Sequence, residues 1–142
     1  MATLFTRIIN GEIPGRFVWE DEHVVGFLTI APITPGHTLV VPRDEVDHWI
    51  DAEDDLLAHA TGVAKAIGTA IDQAFSPTRI ALIVAGFEVP HTHIHVLGAD
   101  SEGDLSFTKA DPGVAPEVLD DAQQRLKEAL RALGHGRAVP AD

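Results

Sequence analysis

The stretch Val89–Gly98, VPHTHIHVLG, sets His91, His93 and His95 at every second position, with Thr92, Ile94 and Val96 between them. Alternation with a period of two is the signature of a β-strand, whose successive side chains point to opposite faces. The spacing therefore predicts a strand over 91–97 with the three histidines on one face. Thr92, Ile94 and Val96 share the other, and as the apolar set they face the core, so the histidines point away from it.

Three uses of such a row are open on the residues alone. The histidines are structural if the sheet is covered on both sides. They bind a metal if two of them meet a carboxylate; all three do not converge on one ion readily, because 91 and 95 lie roughly 13 Å apart along a strand. They perform phosphorus chemistry if one neutral imidazole attacks while a neighbour offers an N–H to a phosphate oxygen or a leaving group. In this third use the middle histidine attacks.

The rest of the chain supplies a sheet and helices around this strand. Thr3 caps a short helix with Leu4, Phe5, Ile8 and Ile9 at helical spacing, stopped by Gly11. Strands are expected at 16–20, 24–30 and 37–42, the last after the proline-rich loop APITPG, and short connections make them an antiparallel meander. From Asp51 to Phe75 acids in the first turn and apolar residues at Leu56, Ala60, Val63, Ile67, Ile71 and Phe75 predict a long helix. RIALIV at 79–84 reads as a buried strand. A polar loop over 98–116 leads to a second helix, about 116–133, with Val118, Ala122, Leu126, Leu130 and Leu133 on one face, and a tail over 134–142. No repeat or linker divides residues 1–142, so one domain is expected, its core within about 4–97.

Composition bears on the partner. Of 142 residues 45 % are hydrophobic, enough for a real core, and 22 acids against 10 Lys and Arg give a net charge of -12. That field repels polymeric nucleic acid, so DNA and RNA are not expected partners. There is no cysteine, which removes disulfides, thiolate nucleophiles and cysteine-ligated zinc. No apolar run approaches the ~18 residues of a membrane span, and a leader pattern is not evident, so no membrane and a cytoplasmic location are expected.

HTHIHVL resembles the histidine-triad signature, and the likeness runs from about Leu4 to Leu97. FTRIINGEIPGRFVWEDEHVVGFLTIAPITPGHTLVVPR is similar to the N-terminal half of the nucleotide-binding branch of that family, in its bacterial form. The resemblance implies an α+β fold, a five-stranded antiparallel sheet with one long central helix and a C-terminal helix, and a homodimer formed through that helix and a strand edge. It implies a purine nucleoside monophosphate as ligand, with its phosphoramidate or adenylate as substrate, and reaction at the α-phosphorus through a nucleotidyl-histidine intermediate. No metal or cofactor is required. By position His93 matches the nucleophile and His95 the residue that contacts the phosphate and assists departure. His91 and His37 match the supporting histidines. Phe5, Ile8, Ile13, Phe27 and Leu39 match the apolar surround of base and sugar, although Phe5, Ile8 and Ile13 would serve a small core equally well on spacing. His23, His48, His59 and His135 match nothing and are expected at the surface or at helix edges.

The departures from the pattern concern the substrate. Thr29 stands where an acid or amide usually holds the ribose hydroxyls. Before the triad, GFEVP keeps Gly86 but places Phe87, Glu88 and Val89 near the α-phosphate, where glutamine and a hydroxyl residue are usual. Glu88 either meets a cationic leaving group or folds outward, and outward is the favoured reading. An asparagine expected on strand four is absent, as is the cysteine pair that some relatives use for zinc. Hydrolysis of dinucleoside polyphosphates is the competing activity, and nucleotide sensing or scaffolding with little turnover is the reading from another class.

Overall fold

In the computed structural model, residues 2–142 are described. Helix α1, Leu4–Ile9, starts at Thr3, whose Oγ1 accepts the Thr6 N–H at 3.1 Å. Strands β1, Phe17–Glu20, β2, Val24–Leu28, and β3, Thr38–Pro42, follow as the expected meander. Helix α2 spans Asp54–Phe75 and starts three residues later than its acids suggested, because 49–51 form a separate 3₁₀ turn. It ends at Ser76, the one described non-glycine residue with positive φ, at 50°. Strand β4, Arg79–Ile83, strand β5, Ile94–Ala99, and helix α3, Pro116–Ala132, complete the chain.

All neighbours in the five-stranded sheet are antiparallel, in the order β1-β2-β3-β5-β4. One face carries the main core: Ala60, Val63, Ile67 and Ile71 of α2 and Ala122, Leu126 and Leu130 of α3 pack on Val18, Val40, Ile94 and Val96. Gly26 allows this approach, since a Cβ there would stand 2.8 Å from Ile67 Cδ1. The other face is covered too. Phe5 and Ile8 of α1 close over Val25, Phe27, Leu39 and Val41. The histidine face does turn away from the main core, as the alternation predicts, but a second, smaller core with Phe5 against His93 shelters it.

Four expectations change. Regular pairing in β5 begins at Ile94, so of the triad only His95 belongs to the ladder, opposite Leu39 on β3. The run 79–84 is not a buried strand but the edge of the sheet, with Leu82 47 % and Val84 39 % exposed; branched residues suit an edge as well as a centre, and periodicity does not separate the two. On α3 Leu119, not Val118, turns inward. Residues 134–142 are not a loose tail: Val139 is buried in the main core, and Asp142 receives Lys127 Nζ at 2.8 Å. No described helix is long and apolar enough to cross a membrane.

Candidate active site

Sheet register assembles the site. Phe27 lies opposite Leu39, and Leu39 opposite His95, so one row across β2, β3 and β5 carries two apolar side chains and a histidine on one face. Upstream of β5 the chain is held by hydrogen bonds rather than a ladder: His91 N–H to the Val89 carbonyl at 2.8 Å and Thr92 N–H to the Val46 carbonyl at 2.7 Å. His91 is fully buried, and His93 and His37 are 6 % and 2 % exposed.

The hydrogen bonds assign the ring protons. A carbonyl only accepts, so His93 Nδ1, 2.8 Å from the His91 carbonyl, bears hydrogen. In the neutral ring its Nε2 then holds the lone pair. His37 Nδ1 accepts the Ile33 N–H at 3.1 Å, which leaves the hydrogen of that neutral ring on Nε2, 2.9 Å from His95 Nδ1. His95 Nδ1 therefore accepts, and His95 Nε2 carries the hydrogen. No buried side-chain nitrogen or oxygen among the described residues lacks a partner. The Nε2 atoms of His93 and His95, which have no protein partner, accordingly open to the cleft both residues line. One offers a lone pair and the other an N–H, from rings 5.0 Å apart.

Burial keeps these rings neutral. It pushes His37 down to about 4. Burial, then the proximity of His37 and His93, pushes His95 down to about 3. His93 is lowered by burial against the opposing pull of its bond to the His91 carbonyl. Each shift follows from the cost of charging an imidazole away from water.

The cleft has a volume of about 550 Å³ and contains Phe5, Ile8, Ile13, Phe27, Thr29, Leu39, Glu88, Val89, His93 and His95 of the residues expected at the site. Phe5 meets the His93 ring edge-on at 4.8 Å. Thr29 is on the wall, with Oγ1 accepting the Ala31 N–H at 3.2 Å. Glu88 is exposed but lines the cleft instead of folding outward. Gly86 and Phe87 do not line it: Gly86, at φ +86°, turns the loop, and Phe87 is 97 % exposed. His37 and His91 stand behind the wall, His37 on His95 and His91 between Thr3 and Pro42.

The remaining histidines are elsewhere. His59 Nε2 is 2.8 Å from Asp21 Oδ2, His23 packs on His59 at 5.6 Å, His135 lies 5.4 Å from Trp19, and His48 is exposed. Sharing of one metal by the triad is not supported: both nitrogens of His91 are committed, to Thr3 and to the Pro42 carbonyl. No group of three or more His, Cys, Asp or Glu among the described residues is placed to hold an ion.

Three site residues escaped sequence reasoning. Arg16 and Asp120 form an ion pair at 2.8 Å on the cleft wall. Phe107, from the loop after β5, packs on His95 at 4.8 Å. No local pattern marks them, since an acid on an exposed helix face and an aromatic in a polar loop have many ordinary uses.

The comparisons agree with this geometry. The model of the HIT domain matches residues 10–102. The chain is 42 % identical over 110 residues to an uncharacterized HIT-like protein of Methanocaldococcus jannaschii, covering 75 % of this chain and 84 % of that one. Its fold is similar to the crystal structure of a hypothetical histidine triad nucleotide-binding protein from Sulfolobus tokodaii, with a TM-score of 0.80, 29 % identity, and 91 % and 92 % of the two chains covered. It is also similar to a HIT family hydrolase from Legionella pneumophila, with a TM-score of 0.61, 34 % identity, and 68 % and 92 % covered. With the domain model matched over residues 10–102 and a HIT-like relative 42 % identical over 110 residues, the chain belongs to the histidine triad, or HIT, family.

Proposed function

We propose that the protein hydrolyses or transfers at the α-phosphorus of purine nucleoside phosphoramidates or adenylates through a covalent nucleotidyl-His93. The observation that carries this reading is the pairing of His93 Nε2 and His95 Nε2–H in one apolar cleft. The base and sugar lie among Phe5, Ile8, Ile13, Phe27 and Leu39, and Thr29 hydrogen-bonds the ribose. His93 Nε2 attacks phosphorus, and the bond from phosphorus to the leaving nitrogen or oxygen breaks. His95 Nε2–H holds a non-bridging oxygen, and a departing amine takes its proton from solvent in the cleft. The phosphorylated ring is cationic, and its Nδ1–H faces the His91 carbonyl, which stabilises that charge. Water then attacks phosphorus, its proton leaves by the same route, and the bond to Nε2 breaks. The fixed strand supplies the positioning on which such transfer largely depends.

Glu88 on the wall bears on the leaving group. A carboxylate attracts a cationic amine and repels a polyphosphate, which favours phosphoramidates over dinucleoside polyphosphates. At equal concentration an adenosine phosphoramidate should turn over faster than a dinucleoside polyphosphate, and intact mass after a rapid acid-free quench should show a nucleotidyl adduct. Glu88→Gln should narrow the ratio several-fold, by roughly the ~1 kcal/mol of a partly screened charge pair. Preference for the polyphosphate would sink this assignment, and tight binding of nucleoside monophosphate with background turnover would favour a sensing role.

The unit in solution is proposed to be a homodimer through β4 and α2. Among the described residues no strand lies beside the outer edge of β4, and its backbone groups are open to pairing; Leu82 and Val84 are exposed there, with Trp49 42 % exposed near α2. Sedimentation should give twice the mass of 15.2 kDa, and Leu82→Asp should return the monomer. An unmutated monomer at micromolar concentration would overturn it.

A further inference from the structure

We infer that Thr3 is a positioning residue of the active site, whose hydroxyl sets the ring of His91 and, through it, the nucleophilic nitrogen of His93; the inference rests on the assignment of His93 proposed above. Thr3 Oγ1 lies 2.7 Å from His91 Nδ1, across 88 positions of sequence. His91 Nε2 lies 2.7 Å from the Pro42 carbonyl, which only accepts, so Nε2 carries the hydrogen. Nδ1 of the neutral ring is then an acceptor, and Thr3 must be the donor. The same oxygen accepts the Thr6 N–H at 3.1 Å, and Thr3 N–H donates to Glu45 Oε1 at 2.9 Å. Thr3 thus has its donor and acceptor capacity directed by neighbours on three sides.

Two routes lead from Thr3 to His93. The His91 ring is locked at both nitrogens, and its own carbonyl receives His93 Nδ1–H at 2.8 Å, which fixes the lone pair of His93 on Nε2. Phe5, two residues beyond Thr3, meets the rings of both His93, at 4.8 Å, and His91, at 5.8 Å. Helix α1 has only six residues, too few to persist on its own. Its seat against the nucleophile depends on its cap and on its packing. A cap that also donates to His91 joins the wall of the cleft to the triad.

The test separates this role from simple capping. Thr3→Ser keeps both bonds and should retain activity and the unmutated histidine spectra. Thr3→Val removes donor and acceptor together. Thr3→Asp keeps an excellent cap, so the helix is retained, but its carboxylate has no proton to give and drives His91 to carry hydrogen on both nitrogens. Long-range proton–nitrogen spectra of histidine-labelled protein should show His91 in the Nε2–H form in the unmutated and Ser proteins, altered in Val and doubly protonated in Asp. Both of the latter should lower kcat roughly tenfold or more, with a smaller change in affinity for AMP, because misplacing a reacting group by about 1 Å costs ~10²-fold. If Val and Asp lower only the melting temperature, with unchanged His91 and His93 spectra, the inference is overturned. If the unmutated protein turns over no nucleotide, the assignment of His93 fails, and the spectra still decide on Thr3: an altered His91 supports its orienting role, an unaltered one overturns it.

Discussion

His93→Ala is expected to abolish turnover of an adenosine phosphoramidate, lowering kcat by roughly 10⁴-fold or more, as loss of the nucleophile does in other covalent mechanisms. The size of the effect follows from the absence of a substitute. His95 is 5.0 Å away by ring centroid, but its Nδ1 is taken by His37 and its Nε2 bears hydrogen, so it has no lone pair aimed at phosphorus. No cysteine exists in the chain. His93→Gly, which opens space on the same wall, should still bind AMP, because the slot formed by Phe27, Leu39 and Ile8 is unchanged. Binding retained with turnover lost separates chemistry from recognition. A His93→Ala protein with more than about a tenth of the unmutated kcat would exclude a nucleotidyl-His93 path, since general acid–base help alone is worth ~10²–10⁴-fold.

Why so much of this site was legible in the sequence, and why part was not, is a matter of the range of each constraint. The alternation from His91 to Val96 reports a face directly, because strand periodicity is local, and it brought His95 beside Leu39 and Phe27. Helix α2 was equally visible, since its inward residues Ala60, Val63, Ile67 and Ile71 recur at the helical period. The Thr3 cap was readable, but not its second bond, which depends on a residue 88 positions away. Arg16 and Asp120 are separated by 104 positions, and nothing near either distinguishes it from a solvated charge. For β4 the error was of another kind: an apolar run marks surface that avoids water without naming what covers it. The C-terminal residues read as a tail because Val139 is a single apolar group in a polar segment, and only its seat in the core shows its role.

Acid should unfold this protein from the histidine range downward, before its carboxylates are titrated. In the unfolded chain His37, His93 and His95 titrate near 6.5. In the folded chain burial lowers all three, His37 to about 4 and His95 to about 3. Below pH 6.5 the unfolded chain therefore binds protons that the native one refuses, and stability falls as pH falls. It is fully present above 6.5 and is lost progressively as the pH approaches the folded values. His37 alone accounts for about 3 kcal/mol at most across that window, with His95 comparable but shared through their common hydrogen bond. Denaturant midpoints taken from pH 8 to pH 4.5 should be level at the top and drop steadily below 6.5, and His37→Gln should make the drop shallower. A midpoint constant from pH 7.5 to 5 would contradict the burial assigned to these rings. The same quantity governs activity: the acid limb of kcat/KM should fall below 6.5, because His93 keeps its lone pair to a lower pH than a free histidine does. Sheltering the triad between α1 and the sheet thus keeps His93 neutral at neutral pH, and it makes the fold that does so vulnerable to acid.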